Sequence, residues 1–402
     1  MKRILVVVSN GPQGGTDKYR MTDPNIMLDE LYPDEYKIDV SSTFDFNDIE
    51  SLKKYNAVIF QKIAGQTYEK SKPLIEFIKS LGIKVIIDTD DYWVLDHMHP
   101  YYQFFMKNNI ASYIIETLKV ADFVTCSTEA LKEKIYPINK NVFVIPNAIN
   151  PEEKQFVHNP TESKRFRIGY VAGSSHLQDL KLIDGVVNIL SKEFKNDLQF
   201  VLCGFDLRGV SKYYEVRGKK IPISVWANYE AIVTDNYRTV DSNDRAYLNS
   251  LLLFDRSVKM NDDDTAYKRV WTKPVNEYAS NYNDLDLVIA PLKDFEFNTY
   301  KSNLKVLESG FHKLPIIASE FGPYKQDLVS AYKGEGQYGE GNSLLVKPNK
   351  NAKEWAKFIK YLAYNREEAK RLGLALYDTV KEKYDLRNVS TLRHEVYQTF
   401  FK

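Results

Sequence analysis

The sequence predicts an α/β protein made of two doubly wound domains, and three observations carry that expectation. Short apolar runs rich in Val and Ile alternate with helix-length amphipathic stretches, the pattern of parallel strands joined by crossover helices. The alternation occurs twice, once in each half of the chain. Between the halves, Asn150 to Arg165 (NPEEKQFVHNPTESKR) is polar, contains Pro151 and Pro160, and has no apolar period, which marks a junction. At 402 residues the chain is also too long for one ordinary core.

In the first half the strand-like runs are Arg3–Ser9, Lys37–Ser41, Ala57–Gln61, Lys84–Asp88, Phe123–Ser127 and Val142–Pro146. In the second half they are Arg167–Val171, Leu198–Cys203, Leu285–Pro291, Pro315–Ser319 and Ser343–Val346. The expected domains span 1–155 and 156–385, with a last helix at about 386–402 free to pack back on the first. A polar stretch from about Phe205 to Met260, with Tyr213, Tyr214, Tyr229, Tyr237 and Tyr247, does not parse into βα units. It reads as an elaborated crossover, an acceptor-binding insertion or an oligomer contact. From Trp355 to Phe401 the chain reads as helices with stripes such as Trp355, Phe358, Ile359 and Leu362.

Composition narrows the function classes. A hydrophobic fraction of 44% and an aromatic fraction of 13% fit a folded protein. The 55 basic and 54 acidic side chains leave a net charge of +1, which argues against a protein organised around nucleic-acid phosphates. Cys126 and Cys203 each sit in an apolar strand-like run and read as buried free thiols. The start, MKRILVVVSNG, is too short to span a membrane and reads as a strand leading into a Gly-rich turn. No later segment reaches transmembrane length, so the expectation is a cytoplasmic protein whose contact with membranes is at most peripheral.

Ligands of open parallel sheets bind beyond the carboxyl ends of the strands, so the loops there are the candidates for chemistry. After the first strand, GPQGGTDKYR offers Gly14 and Gly15 for close approach of backbone to a phosphate or sugar, and Arg20 for an anion. A merely flexible turn explains the same residues. DTDDYW places Asp88, Asp90 and Asp91 after the run KVII, with His97 and His99 just beyond. These carboxylates suit a divalent metal, acceptor hydroxyls, the orientation of a base, or structural capping. In GYVAGSSHLQD, Gly173, Ser174 and Ser175 follow a strand and precede a helix, so their N–H groups can face a diphosphate beside His176. A capping turn without ligand is the alternative. YKRVWTKPVNEY offers Arg269 and Lys273 against a leaving phosphate, or simply as exposed cations.

The richest segment is Pro291 to Pro323, PLKDFEFNTYKSNLKVLESGFHKLPIIASEFGP. It reads as strand end, loop, short helix and strand. On an ideal helix Lys301, Lys305 and Glu308 share one face, and Leu304, Leu307, Phe311 and Leu314 pack on the adjoining one. A helix start bearing Lys301, Ser302 and Asn303 suits a phosphate, and Glu308 one turn deeper suits sugar hydroxyls. A solvated helix with a Lys305–Glu308 pair is the plain alternative.

These stretches together resemble the GT-B glycosyltransferases, specifically the retaining family 4 type and its phage and gut-bacterial relatives. The matching stretches are YVAGSSHLQDL, DLDLVIAPLKDFEFNTYKSNLKVLESG with LPIIAS, NSLLVKP before a helix with Trp355, DTDDYW, ADFVTCSTEAL and VIPNAINP. KSNLKVLE is the most specific of them. The likeness covers nearly the whole chain except the Tyr-rich stretch.

The resemblance implies two Rossmann-like domains facing across a cleft and hinged near 150–165. It implies transfer of a sugar from a nucleotide-sugar donor, UDP- or GDP-linked, with retention of configuration and without a cofactor or protein-bound metal. The donor would be held by Gly173, Ser174, His176, Arg269, Lys301, Ser302, Asn303, Leu304 and Glu308. The acceptor, a glycan or other molecule, would meet Gly14, Gly15, Arg20, Asp88 and Asp91, with His97, Asp90 and Lys301 at the chemistry. Glu308 matches the second glutamate of the family's paired-Glu signature, but the first falls on Tyr300. His312-Lys313 stands where a small glycine is usual, and no Arg/Lys pair matches near His176. The metal signature Asp-X-Asp belongs to the other large glycosyltransferase fold, which has one main domain, so hydroxyl binding or capping is preferred for Asp88–Asp91. A non-catalytic partner subunit and a nucleotide-sugar epimerase of the same fold are the alternatives.

Overall fold

The computed structural model describes residues 1–9, 14–65, 67–173, 175–194, 197–207, 210–216, 218–222, 224–236, 265–348 and 350–402. Ser174, Tyr237, Tyr247 and half of the stretch expected as an insertion lie outside the described residues. The chain forms two compact units. One comprises Met1–Glu152, Phe295–Leu307 and Lys381–Lys402; the other comprises Glu153–Asp294 and Glu308–Val380.

Among the described residues the first unit holds a parallel sheet of β1 (Lys2–Val7), β2 (Tyr36–Ser41), β3 (Ala57–Gln61), β4 (Lys84–Thr89), β5 (Phe123–Cys126) and β6 (Val142–Val144). Their order is β2-β1-β3-β4-β5-β6, with Ile4 opposite Ala57 and Ala57 opposite Lys84. The period-2 alternation of each strand divides its side chains between two cores. Leu5, Val58, Phe60, Val85, Ile87 and Val124 face Ile75, Ile78, Ile114 and Leu118 of two crossover helices. Ile4, Val6, Ile59 and Ile86 face the other way, onto Met21, Leu28 and the last helix, Leu386–Phe400, through Val389, Tyr397 and Phe400. That helix is joined to the unit by backbone bonds, Ile149 N to Tyr384 O and Leu386 N to Ile149 O, both 2.9 Å.

The second unit contains β7 (Phe166–Val171), β8 (Leu198–Phe205), a hairpin of β9 (Tyr213–Val216) and β10 (Lys219–Pro222), and β11 (Tyr267–Trp271). It continues with β12 (Leu287–Ala290), β13 (Ile316–Ser319), a hairpin of β14 (Tyr332–Gly334) and β15 (Gln337–Tyr338), and β16 (Leu344–Val346). Its main sheet runs β11-β8-β7-β12-β13-β16, all parallel. Ile168, Phe200, Ile289 and Ile317 share a core with Trp355, Phe358 and Ile359 of the helix Ala352–Tyr364. The sequence expectation missed β11, because Arg269 and Lys273 suggested a basic loop. Alternation explains the strand: Tyr267 and Arg269 are buried while Lys268 and Val270 are half-buried.

The helix Arg366–Val380 packs with Gly373 so close to the backbone of Lys313 that a Cβ there would lie 2.1 Å from the Lys313 carbonyl oxygen. Ala is the better helix former by about 1 kcal/mol, so propensity alone favours Gly373→Ala. The clash is with backbone, which cannot swing aside, and overpacking of this kind costs about 1–3 kcal/mol. We expect Gly373→Ala to lower the denaturation midpoint; a raised midpoint would mean that the two segments separate freely.

Candidate functional site

Each sheet is covered on both faces, which leaves the strand ends for ligands, and in open parallel sheets these bind where the strand order reverses. The reversal falls between β1 and β3 in the first unit and between β7 and β12 in the second.

In the first unit, Gly15 is already helical and Arg20 lies inside the π-helical turn Asp17–Thr22. Arg20 is buried and donates from Nε to Asp88 Oδ1 at 2.9 Å and from Nη2 to Asp88 Oδ2 at 2.6 Å. Thr125 Oγ1 donates to Asp88 Oδ2 at 2.7 Å. The remaining guanidinium nitrogen donates to the Ile145 carbonyl at 2.5 Å and to Asn147 Oδ1 at 3.2 Å. This corrects two expectations. Arg20 and Asp88 are not a loop cation and a free carboxylate facing an acceptor; they are partners of each other within the core. Gly14 and Gly15 stay at the edge of the β1 loop, and a Cβ on Gly15 would meet nothing within 4 Å.

Asp90 and Asp91 remain partly exposed at the end of β4. Gln61 Nε2 reaches Asp90 Oδ1 at 3.3 Å, and Lys62 Nζ reaches Asp91 Oδ2 at 3.4 Å. Lys62 follows β3 in the left-handed conformation (φ 64°), which turns the chain at the reversal point. Burial, reinforced by the neighbouring Asp91 charge, pushes the Asp90 carboxyl up to about 7. Burial penalises Asp91 as well, but Lys62 and Lys301 outweigh it and hold that carboxyl below its usual value. One carboxylate of the pair is thus kept ionised and the other is poised near neutrality.

His97 is exposed, with Asp96 3.4 Å from its Nδ1, so its one recorded partner is not the aspartate pair. His99 is the histidine within electrostatic reach of Asp91. Its Nδ1 accepts from the Tyr101 N–H at 3.2 Å, and its ring meets Phe297 edge-on at 5.3 Å.

The segment Phe295–Leu307 belongs to the first unit. Tyr300 packs in its core, 4.6 Å from the Tyr92 ring, with Lys134 Nζ 5.4 Å above it. Asn147 Nδ2 donates to Ser302 Oγ at 3.0 Å, which extends the Arg20 network to this loop. Lys301 Nζ lies 5.2 Å from the Phe297 ring centre. The helix begins at Leu304, with the Asn303 carbonyl accepting from Val306 and Leu307. Lys301 is therefore not on one helical face with Lys305 and Glu308, and Glu308 is grouped with the second unit.

In the second unit the loop after β7 carries Gly173 and His176; a Cβ on Gly173 would meet nothing within 4 Å. His176 Nδ1 lies 2.7 Å from Asp179 Oδ2, and its N–H donates to the Tyr229 hydroxyl at 2.8 Å. Asp179 Oδ1 accepts from the Lys293 N–H, after β12, at 2.7 Å. One carboxylate thereby ties together the two loops that flank the reversal. Arg269 is corrected from a phosphate ligand to a structural cation. It is buried, donates to both Glu230 oxygens at 2.6 Å, and covers the Phe205 ring at 3.7 Å. Lys273 donates to Ser280 Oγ at 2.9 Å. Glu308 is fully buried and accepts the hydroxyls of Tyr278 and Tyr282, the latter at 2.5 Å.

Sequence reasoning passed over Lys62, Asn147, Asp179 and Lys293. Lys62 directly follows a strand run, Lys293 comes two residues after another, and Asp179 stands three residues beyond His176, a spacing that pairs side chains on a helical turn. Asn147 has no local signal. Cys126 and Cys203 are free and buried, and burial pushes the Cys126 thiol up to about 12.

No family model matches the sequence, and no curated protein matches it. Solved structures do match the fold. HepE from Anabaena, in complex with UDP and glucose, aligns over 99% of this chain and 100% of its own at 11% identity and a TM-score of 0.60. A UDP-forming α,α-trehalose-phosphate synthase from Burkholderia xenovorans aligns over 99% of each chain at 10% identity and a TM-score of 0.55. A protein from Listeria monocytogenes assigned as a UDP-N-acetylglucosamine 2-epimerase aligns over 100% of this chain and 97% of its own, at 10% identity and a TM-score of 0.53. At such identities the likeness shows the fold, which is α/β of the GT-B type with two Rossmann-like units.

Two outcomes follow from the first unit. The folded chain keeps the Asp90 proton up to about pH 7, whereas an unfolded aspartate releases it near pH 3.9. Folded protein thus holds the extra proton between those values, and this group's contribution to stability falls as pH rises through the window, then levels off. Asp90→Asn should be more stable than wild type at about pH 8 and equal to it at about pH 4, read from denaturation midpoints. A pH-independent difference would assign the proton elsewhere. Removing one partner of the buried pair, as in Arg20→Ala, should cost about 3–5 kcal/mol in unfolding free energy.

Proposed function

We propose that the chain is a glycosyltransferase, moving a sugar from a nucleotide-sugar donor to an acceptor with retention of anomeric configuration. The observation that carries this reading is the construction at the β7/β12 reversal, where Asp179 fastens the His176 loop to the Lys293 loop. A binding crevice is expected at that point of an open parallel sheet. The fold is shared with HepE, whose structures hold UDP with glucose and UDP-glucose.

The donor would lie against the second unit. Gly173 has no neighbour that requires a glycine, so the open space beside it is suited to a diphosphate approaching the backbone. Departure of the sugar leaves negative charge on the diphosphate, and backbone N–H dipoles at Gly173 and Ser175 would meet it. Lys293, whose ammonium lies 3.5 Å from Asp294, is the cation nearest in sequence to that reversal, and Arg269 is buried against Glu230. Glu308 accepts two phenol hydroxyls, and a ribose diol offers the same pair of donors. Tyr278 is the half-buried one of the two, so nucleotide binding would exchange its hydroxyl for one of the ribose. In the first unit Asp90, Asp91 and Lys62 would bind and orient the acceptor hydroxyl, with His99 in place of His97 and Lys301 setting the local charge.

The fold likeness to an assigned epimerase supports a second reading, in which a sugar nucleotide is changed without any acceptor. A thermal-shift screen against a panel of UDP- and GDP-sugars, followed by product analysis with donor alone, separates the two. A transferase should be stabilised by its donor and slowly hydrolyse it, and an epimerase should return an altered sugar nucleotide. Glu308→Gln should weaken donor affinity about tenfold to a hundredfold, the worth of a hydrogen bond to a charged group. No stabilisation by any sugar nucleotide would sink both readings and favour a non-catalytic subunit.

A further inference from the structure

The amino-terminal edge of the first sheet holds a cavity of about 380 Å³, within the range of about 300–1,000 Å³ usual for small-molecule sites. Lys2, Lys53, Lys84 and Lys402 line it, and among the described residues no aspartate or glutamate does. Strand pairing brings the first three there from separate parts of the chain. β1 and β4 both lie beside β3, with Ile4 opposite Ala57 and Ala57 opposite Lys84, so Lys2 and Lys84 open their strands at the same edge. Lys53 comes just before Asn56, the residue that leads into β3. Asn56 stitches this edge together. Its N–H donates to the Arg3 carbonyl at 2.7 Å, and its carbonyl accepts from the Lys84 N–H at 3.0 Å. Its Oδ1 accepts from the Arg3 N–H at 2.8 Å. Asn56 also lines the cavity, and its Nδ2 has no partner among the described residues, so the amide adds a donor to the lysines.

The surroundings leave the positive charge of this cavity largely in place. Lys2 Nζ lies 5.3 Å over the Phe401 ring and Lys84 Nζ 5.8 Å over Phe123, and a ring face holds an ammonium without neutralising it. Lys53 is 3.4 Å from Glu50, but both side chains are more than half exposed, and a surface pair of this kind is weak enough to exchange. The bordering carboxylates are spent elsewhere. Asp39 pairs with Arg3 at 2.8 Å, and Asp122 holds Lys79 at 3.1 Å and the Val85 N–H at 2.8 Å. Lysine acts on phosphate as a compact point charge with rotatable donors. Several ammonium groups around one cavity fit an anion with more than one charge and several oxygens. A phosphate ester or a diphosphate has both, whereas a single carboxylate matches one lysine.

We propose that this cavity binds a small phosphate-bearing anion, a phosphate ester or diphosphate, through Lys2, Lys53, Lys84 and the side-chain amide of Asn56. The site lies at the opposite end of the strands from Lys62, Asp90 and Asp91, since the rise from Lys84 to Asp90 along an extended strand is about 20 Å. His176 and Glu308 belong to the other unit. The anion site is therefore separate from the residues assigned to donor and acceptor, and it stands whether or not the chain is a transferase.

The test is titration of the full chain with inorganic pyrophosphate, against potassium chloride at matched ionic strength. It is followed by melting temperature and by lysine acetylation read in a mass spectrometer. Pyrophosphate should raise the melting temperature beyond the chloride control. It should also slow acetylation of Lys2, Lys53 and Lys84, but not of the exposed Lys37 and Lys107. The double variant Lys53→Gln, Lys84→Gln should bind pyrophosphate at least about tenfold more weakly, having lost two hydrogen bonds to a charged group. Without ligand it should melt no lower than wild type, since both side chains are exposed. An equal response to chloride, or unprotected lysines, overturns the proposal. So does a variant that binds as tightly as wild type, which would put the pyrophosphate at another site such as the loop after β7. Protection of the three lysines in a chain that fails the sugar-nucleotide panel would support this site while removing the transferase reading.

Discussion

Arg20 and Asp88 sit in the interior of the first unit, where removing either would leave the other as an uncompensated buried charge. Their two parallel hydrogen bonds fix the guanidinium plane, and that plane then determines what its third nitrogen reaches. It reaches the Ile145 carbonyl and Asn147, and Asn147 in turn reaches Ser302. A chain of polar contacts thus joins the helix after β1, the end of β4, the segment after β6 and the loop before Leu304. Asp90 and Asp91 stand just beyond this sealed pair, and their opposite displacements arise there. Asp88 is neutralised internally by Arg20, which leaves Lys62 and Lys301 to hold Asp91 ionised while burial lifts Asp90.

The second unit follows the same rule with different residues. Glu230 in the helix Val225–Val233 accepts from Arg269 and Tyr267, so the edge strand β11 is clamped to that helix by charge as well as by packing. Glu308 is buried and accepts two tyrosine hydroxyls, so hydroxyl donors rather than water meet this carboxylate. Asp179 has the more demanding position, since its two oxygens serve two loops. Arg269, which looked available in the sequence, is occupied by a structural partner.

The two sheets were legible because their signal is local. Alternate residues of Ala57–Gln61 or Arg167–Val171 enter opposite cores, and the runs themselves show it. Errors came where charge was weighed before alternation. Arg269 read as a loop cation although YKRVW alternates as an edge strand does. Lys301 was placed on an ideal helix, but Asn303 starts that helix with its carbonyl, one turn later than the pattern assumed. His97 and His99 are near-identical by sequence, and only packing against Phe297 separates the second from the exposed first.

Sequence alone determined the α/β class and the duplication of the sheet, because residue periodicity and strand ends are properties of adjacent positions. The tertiary structure decided which residues of the loops are free. Arg20 meets Asp88 across 68 positions and Arg269 meets Glu230 across 39, separations at which no local pattern survives. Partnership in a low-dielectric interior is settled by which strands become neighbours, and a side chain's charge gives no sign of it beforehand.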